Sequence, residues 1–581
     1  MTELASNSFT AVTYKITSAR WVSFAFRLLA LMMGGLHTWA AASSHSMNSD
    51  GVDYLDIGDA YMRGDWQMAI NAVWSPLYSW ILGPVLALFQ PTMRWEFPLV
   101  HGVNFAIYVA ALICFEFFWR QLWHYQQMKK AEASDQVTWP EWAWLALGYC
   151  LFIWSALTLI KIWAVTPDML MAGLVYLAAG LMVRLRRGFT GWPTYALLGA
   201  VLGLGYLSKA IMFPLAFVFL GVTLISGPNI RRAFPRTLLA GVIFLLVSLP
   251  FIALISRAEG KFTFGEAGAI TYVRYVNGVT YPHWQGHPPG NGTPEHPSRQ
   301  IFDRPPIYEF GTPLGGTYPI SLNPVYWYRG AIPHFDVAQQ LRLLLASGLF
   351  YFDLFFRQQG GWLVGVAALY LLRQRWGFSL KDVGPGWGLV IPAVAAFGLY
   401  SIVLVEGRYI GAFVVLFWSD ILANVRLPDS RDSRRLLAGV GTLMILFVLV
   451  NLVAFNLAGF RDLNRNAAQP PSASADPPRW PGEVAETLHR LGVQPGDEVA
   501  VIGYAFDSFW ARLARVKIVA EMLDRDADPF WVGDSALQDE VIAAFAGTGA
   551  KAIVAEHVPA YASLPGWHQI GNTNHYIYLL R

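Results

Sequence analysis

Along its length the chain alternates long apolar runs with short charged or aromatic interruptions. The runs have the length of a membrane crossing, not the two-residue period of a half-buried strand. A helix needs about 20 apolar residues to cross the hydrocarbon core of a bilayer. Such runs lie at 21–43, 97–119, 141–160, 168–184, 192–208, 210–226, 237–256, 358–373, 387–405, 409–425 and 436–458, which predicts about eleven spanning helices. The first extends from Trp21 to about Ala42, too long for the apolar region of a cleavable signal, and is read as a span. Within 51–90, the stretch 53–62 reads as a helix, and the apolar run 77–89 is too short to span comfortably; both are predicted to lie in the membrane interface. A loop is predicted over 257–357. After the last span, 463–482 is rich in Pro, Ala and Ser and reads as a linker. Beyond it, Glu498–Tyr504 and Ala552–Ala555 read as short buried strands with helical segments between them. The predicted fold is thus mainly α: a polytopic transmembrane helical bundle over 1–462, a linker over 463–482, and a small α/β domain over 483–581.

Composition strengthens this picture. The chain is 55% hydrophobic and only 14% charged, against about 25% charged residues in soluble domains, so there are too few charges to cover a water-facing surface of this size. Mean hydropathy is correspondingly positive, at +0.38, and lipid is the expected partner of most of the chain. A net charge of +3 gives no case for nucleic-acid binding. Cys114 and Cys150, both inside apolar runs, read as small buried hydrophobes and exclude a disulfide framework or a thiolate metal site.

Charge then orients the spans. Lys129 and Lys130, Arg184, Arg186 and Arg187, Arg231, Arg232 and Arg236, Arg373 and Arg375, and Arg426, Arg431, Arg434 and Arg435 follow alternate spans, and Lys15 and Arg20 precede the first. All fall on one face, which the positive-inside rule makes cytoplasmic. The N-terminus is then cytoplasmic, and 44–96, 257–357 and everything after 459 are extracytoplasmic, in keeping with a bacterial inner membrane. Asn291-Gly292-Thr293 on that far face is an N-glycosylation sequon.

The far face carries the unusual polar residues. Asp50, Asp53, Asp56 and Asp59 follow the first span directly, and short turns at membrane level hold Thr166-Pro167-Asp168, Ser208-Lys209 and Glu406-Gly407-Arg408-Tyr409. Each has an ordinary reading on its own: Asp50 caps the following helix, Lys209 snorkels to the interface, and Arg408 pairs with Glu406. Together, two acids and two bases on one face point to a cavity in which acids activate a nucleophile and cations hold a phosphate. The long loop adds Tyr281-Pro282-His283-Trp284-Gln285-Gly286-His287 and Tyr326-Trp327-Tyr328-Arg329, aromatics beside polar donors that suit sugar rings. The His-x3-His spacing matches no strong ligand pattern, so no metal site is assigned; a divalent ion is the one cofactor kept open.

This ordered set resembles the GT-C superfamily of membrane glycosyltransferases, in the branch of the protein O-mannosyltransferases and lipid A aminoarabinose transferases, over roughly residues 20–430. The resemblance is carried by Asp50 after the first span, Tyr54 four residues on, Gly64-Asp65-Trp66, Pro76 to Trp80, Ala164-Val-Thr-Pro-Asp168, the glycine-rich helix ending in Ser208-Lys209, and the Arg408-Tyr409 turn. It implies an enzyme that takes a sugar from a polyprenyl-phosphate-linked donor to an acceptor hydroxyl on a lipid, glycan or protein. Asp50 matches the family's catalytic acid, acting as general base, and Asp168 a second acid. Lys209 and Arg408 are the candidates for the donor phosphate, and Tyr54, Asp53, His283, Trp284 and Tyr409 for substrate contact. Trp74-Ser75 stands where the aminoarabinose transferases have Glu-Lys, so sugar and acceptor stay open. Two other readings are weighed beside the enzyme: a non-catalytic flippase or transporter of a lipid-linked saccharide, and an assembly protein whose tail is the working part.

Overall fold

The computed structural model describes residues 2–580 apart from 133–135, 227–228, 281–282, 297, 312–314, 376–387, 469–479 and 563–564. Most of the predicted linker lies outside the described residues. The helical part runs α1 (Thr2–Ser43), α2 (Ser49–Arg63), α3 (Pro76–Phe89), α4 (Met93–Glu132), α5 (Glu141–Trp154), α6 (Asp168–Arg186), α7 (Trp192–Ser208), α8 (Met212–Ile225), α9 (Ile230–Glu259), α10 (Val337–Phe352), α11 (Gly360–Arg375), α12 (Val390–Ser401), α13 (Gly407–Ala423) and α14 (Arg431–Ala468). Among the described residues, six segments are long and apolar enough to cross a membrane by themselves: 20–43 in α1, 93–131 in α4, 141–160, α6, α9 and 431–454 in α14. The other five predicted spans lie on helices of 12 to 17 residues. The apolar runs around Lys209 and Glu406 are each cut by these charged turns, so neither flanking helix reaches full length.

The structure corrects the predicted loop. It ends at Asp336, where that side chain accepts a hydrogen bond from the Gln339 amide and caps α10. α10, a π turn (Asp353–Gln358) and α11 then follow one another down the bundle: Gln340 bonds Ile402, Phe355 packs on Phe417, and Gly361 lies against Phe447. The predicted span 358–373 is therefore the lower half of a longer helical passage. Its upper half turns Leu341, Leu345, Leu349 and Phe352 outward. The sequence hides this because the apolar run of α10 covers only 343–352, between Arg342 and Asp353, about half the length that a membrane crossing needs.

Beyond the bundle stands one seven-stranded sheet. Its strands are β1 (Arg299–Asp303), β2 (Pro306–Glu309), β3 (Glu498–Ile502), β4 (Lys517–Met522), β5 (Ala552–Ala555), β6 (His568–Gln569) and β7 (Tyr576–Leu579), ordered β1-β2-β4-β3-β5-β7-β6. β3 pairs in parallel with β4 and β5; being covered on both faces, these strands read as continuous apolar runs. The two expected strands are there, but the sheet is wider than the C-terminal segment alone. The long loop contributes β1 and β2, joined through antiparallel pairing of Tyr308 and Glu309 with Glu521 and Ala520. Ile307 is fully buried in the core with Val519, Phe530 and Phe545. Loop and tail thus fold as one unit, which sits on α2.

Candidate active site

The site is built where four helix ends meet. α2 begins at the cap residue Asn48, whose amide side chain takes the backbone amide of Val165 at 2.8 Å and donates to the Val165 carbonyl at 3.4 Å. Asn104 on α4 donates to the Ala164 carbonyl and accepts from the buried Tyr78 hydroxyl. These two asparagines tie the Ala164–Asp168 turn to the start of α2. Gly51 allows the approach: a Cβ there would run into Val165 and Met47. As a result Asp50, at the head of α2, and Asp168, the first residue of α6, face the same region.

Two cations answer them. Arg408, in the first turn of α13, donates through Nη1 to Asp50 Oδ2 at 2.7 Å and through Nε to Glu406 Oε2 at 2.7 Å. Lys209, ending α7, is hydrogen-bonded to Asp168. The Lys209 ammonium lies 3.8 Å from the centre of the Tyr409 ring, and the Arg408 guanidinium lies 5.0 Å from it, both within cation–π range. Tyr400 stacks on the far side of this group, 5.2 Å from Tyr409. Asp168 is 1% exposed, while Asp50, Arg408 and Lys209 keep 22–24%, so the cluster is buried at one end and open at the other. The second oxygen of Asp168 is buried and has no partner among the described residues, an acceptor held ready for a donor group.

Five of the predicted residues, Asp50, Asp168, Lys209, Arg408 and Tyr409, are therefore in one charge-paired cluster. Tyr54, one turn along α2 from Asp50, packs edge-on to Trp74 and Tyr78 beside it. The capping alternative for Asp50 does not hold: the cap position is Asn48, and the Asp50 carboxylate goes to Arg408. Three residues are elsewhere. Asp53 is buried against Ser321, which donates to it; burial pushes its carboxyl well above the usual range. His283 lies flat on Tyr308, 4.0 Å between ring centres, with Nε2 2.6 Å from Glu521. Trp284 is 1% exposed. The prediction that His283 and Trp284 offer their rings to a sugar is corrected, because both are buried: His283 joins the loop to the sheet, and Trp284 stacks on Tyr328 within the loop.

A second buried network went unread in the sequence. Arg512, in the short helix Phe509–Ala514, is 3% exposed and reaches Asp56 at 2.6 Å, Asp59 at 2.7 Å and Glu96 at 2.8 Å. Arg515 adds contacts to Asp59 and Glu96. Asp56 also accepts from the Thr317 amide at 2.6 Å. The acids at 53, 56 and 59 thus bind α2 to the loop and the sheet, leaving Asp50 as the one acid of α2 turned into the cluster around Tyr409. No signal marked Arg512, whose partners lie more than 400 positions away.

With the geometry established, comparison with known proteins gives the fold. No family model matches the sequence, and no curated protein matches it. Among solved structures the chain is similar to apo ArnT from Cupriavidus metallidurans, with a TM-score of 0.50 and 14% identity over 97% of this chain and 98% of that one. It is also similar to ArnT from the same organism bound to undecaprenyl phosphate (TM-score 0.47, 13% identity, 95% and 97% covered). A third similarity is to the Archaeoglobus fulgidus oligosaccharyltransferase in complex with Zn and sulfate (TM-score 0.45, 12% identity, 92% and 68% covered). At such identities the likeness is one of fold, and it is the GT-C fold that the sequence resemblance implied, now extending through the C-terminal unit.

Proposed function

We propose that the protein is a membrane glycosyltransferase that moves a sugar from a polyprenyl-phosphate-linked donor to an acceptor hydroxyl, with Asp50 as the general base. The observation that carries this reading is the pairing of Asp50 with Arg408 and of Asp168 with Lys209 around one ring, Tyr409. A phosphate brought to Arg408 and Lys209 competes with the carboxylates for the same donors. Its arrival leaves Asp50 free to accept the proton of the attacking hydroxyl. The hydroxyl oxygen then bonds to the anomeric carbon as the bond from that carbon to the phosphate oxygen breaks. The electron pair leaves with the phosphate, whose added negative charge is met by the two cations, and the anomeric centre inverts. Asp168, with one buried oxygen unpaired, orients Lys209 and accepts from a sugar or acceptor hydroxyl. In this reading the cluster faces the extracytoplasmic side and the arginine-rich loops the cytoplasm, with the N-terminus cytoplasmic.

The test is transfer of labelled sugar from polyprenyl-phosphate donors to a membrane extract, comparing wild type with Asp50→Asn. Incorporation by wild type and its loss in the variant is the expected result. Equal incorporation by both, above an empty-vector control, would make Asp50 a structural acid and overturn this site as the seat of transfer.

A further inference from the structure

At the opposite end of the bundle from Asp50, the structure holds a cavity of about 310 Å³ between the end of α6, the start of α7, the end of α8 and the start of α9. It is lined by Arg186, Arg232 and Arg236 together with Tyr195, Ser226 and Asn229. Arg186 donates to the Ser226 hydroxyl at 2.6 Å and also faces Asp420 across an adjoining space. Arg236 lies 5.8 Å from the centre of the Trp192 ring. Among the described residues no carboxylate comes within ion-pair distance of Arg232 or Arg236. Cations clustered at this end orient the protein, and orientation alone asks only that they be there. It does not ask that guanidiniums from two helices, with the hydroxyls of Tyr195 and Ser226 and the amide of Asn229, line one cavity. Beside the cavity, Ile230, Phe234 and Leu238 form an exposed apolar row at i, i+4 and i+8 on the outer face of α9.

We infer that this cavity is a second binding site, for the phosphate ester of an anionic amphiphile: guanidiniums and hydroxyls hold the head group, and the α9 row takes the acyl chain. Guanidinium forks match phosphate oxygens in pairs, and basic pockets between membrane helices are suited to lipid head groups. The site is independent of the reading of Asp50, being made of different helices at the other end of the bundle.

The experiment uses the full chain in mild detergent. Phosphatidic acid and, separately, a zwitterionic phosphatidylcholine of the same chains are titrated in, and retained lipid is counted by native mass spectrometry. The variant is Arg232→Gln with Arg236→Gln. Its control is Arg231→Gln with Arg431→Gln, which removes the same charge from the same end without touching the cavity lining. Wild type and control are expected to retain phosphatidic acid at least tenfold better than phosphatidylcholine, and the cavity variant to lose that preference. Addition of inorganic phosphate then separates the sources. Displacement by millimolar phosphate makes the site one for phosphate itself, whereas retention shows that the acyl chain contributes. Equal loss in variant and control would mean diffuse surface charge and would overturn the site, as would retention in the cavity variant. A third variant, Arg232→Lys with Arg236→Lys, guards against misfolding: it keeps the charge and is expected to keep part of the preference.

Discussion

The cluster around Tyr409 and the cavity around Arg236 both gather cations, yet they treat them in opposite ways. At the first, every cation has an acid: Lys209 with Asp168, Arg408 with Asp50 and Glu406. Nearby, the buried Arg512 has three. At the second, Arg232 is exposed and neither it nor Arg236 has an acid within reach among the described residues. The difference follows from desolvation. A charge taken out of water needs a partner, and removing one partner leaves the other stranded. A charge left at the interface needs none and remains free for a ligand. Counting cations therefore says which way the bundle points, and counting matched cations says where it does buried work.

The largest effect is expected where matching is tightest to the chemistry. General-base removal costs about 10²–10⁴ in rate, so Asp50→Asn is expected to lower transfer by at least about a hundredfold. Arg408→Ala is expected to cost a comparable factor. Because the two side chains act as a pair, the double variant is expected to lose little beyond the worse single one. Rates multiplying in the double variant would mean that the Asp50–Arg408 contact is incidental, and the comparison would lose its catalytic half.

Next comes Arg512. Truncation of one member of a buried ion pair costs about 3–5 kcal/mol, and Arg512→Ala strands Asp56 and Glu96 together. Hydrogen exchange in α2 and in Phe509–Ala514 is expected to rise by more than about a hundredfold, since 1.4 kcal/mol is tenfold in an opening equilibrium. Unchanged exchange would show the network to be ornamental. Its loss is also expected to slow transfer, because α2 carries Asp50.

Glu556 shows the remaining solution for a buried acid, a proton in place of a cation. Burial pushes its carboxyl up to about 7, although hydrogen bonds from Ser508 and Trp510 pull the other way. Its ordinary value is 4.5. Between these values the folded chain holds a proton that the unfolded chain has released, so this group's contribution to stability falls as pH rises from about 4.5 to about 7 and is flat above. At 1.36 kcal/mol per unit, the fall is on the order of 3 kcal/mol. His575, held down to about 4 by burial, slopes the opposite way over much of that range. The clean measurement is therefore a difference: the stability of wild type minus that of Glu556→Gln, which is expected to decline from pH 5 to pH 7. A flat difference would mean that Glu556 is ionised in the fold.

What the sequence disclosed follows the same division. Runs of apolar residues revealed the helices, because lipid demands them locally. Asp50, Asp168, Lys209 and Arg408 were legible because a charge at a helix end beside the membrane is conspicuous. The sequence could not disclose pairings that close only in three dimensions. Arg512 sits in an unremarkable stretch of the tail, and the loop strands Arg299–Asp303 and Pro306–Glu309 are too short and too polar to read as strands without the neighbouring edge of Lys517–Met522. The same blindness misplaced His283 and Trp284, whose aromatic and polar character fits a buried position as well as a sugar site.

The smallest effect tests the other half of the contrast. Arg231 is exposed at the start of α9 and has no carboxylate within ion-pair distance among the described residues. Arg231→Gln strands no acid, opens no cavity and removes no hydrogen bond from a buried group. Substitutions of this kind usually stay within about 0.5 kcal/mol, and the thermal midpoint of the full chain in detergent is expected to move by no more than that corresponds to. Orientation is expected to hold as well, since the clusters at Lys129–Lys130, Arg184–Arg187 and Arg426–Arg435 remain; cysteine accessibility on either side of the membrane checks it. Set beside Arg512→Ala, the same loss of one positive charge then differs by several kcal/mol, and only the stranded acids account for the gap. A destabilisation by Arg231→Gln as large as that of Arg512→Ala would mean that the basic end, too, is held together by charge, and that its cations are not free to take a ligand.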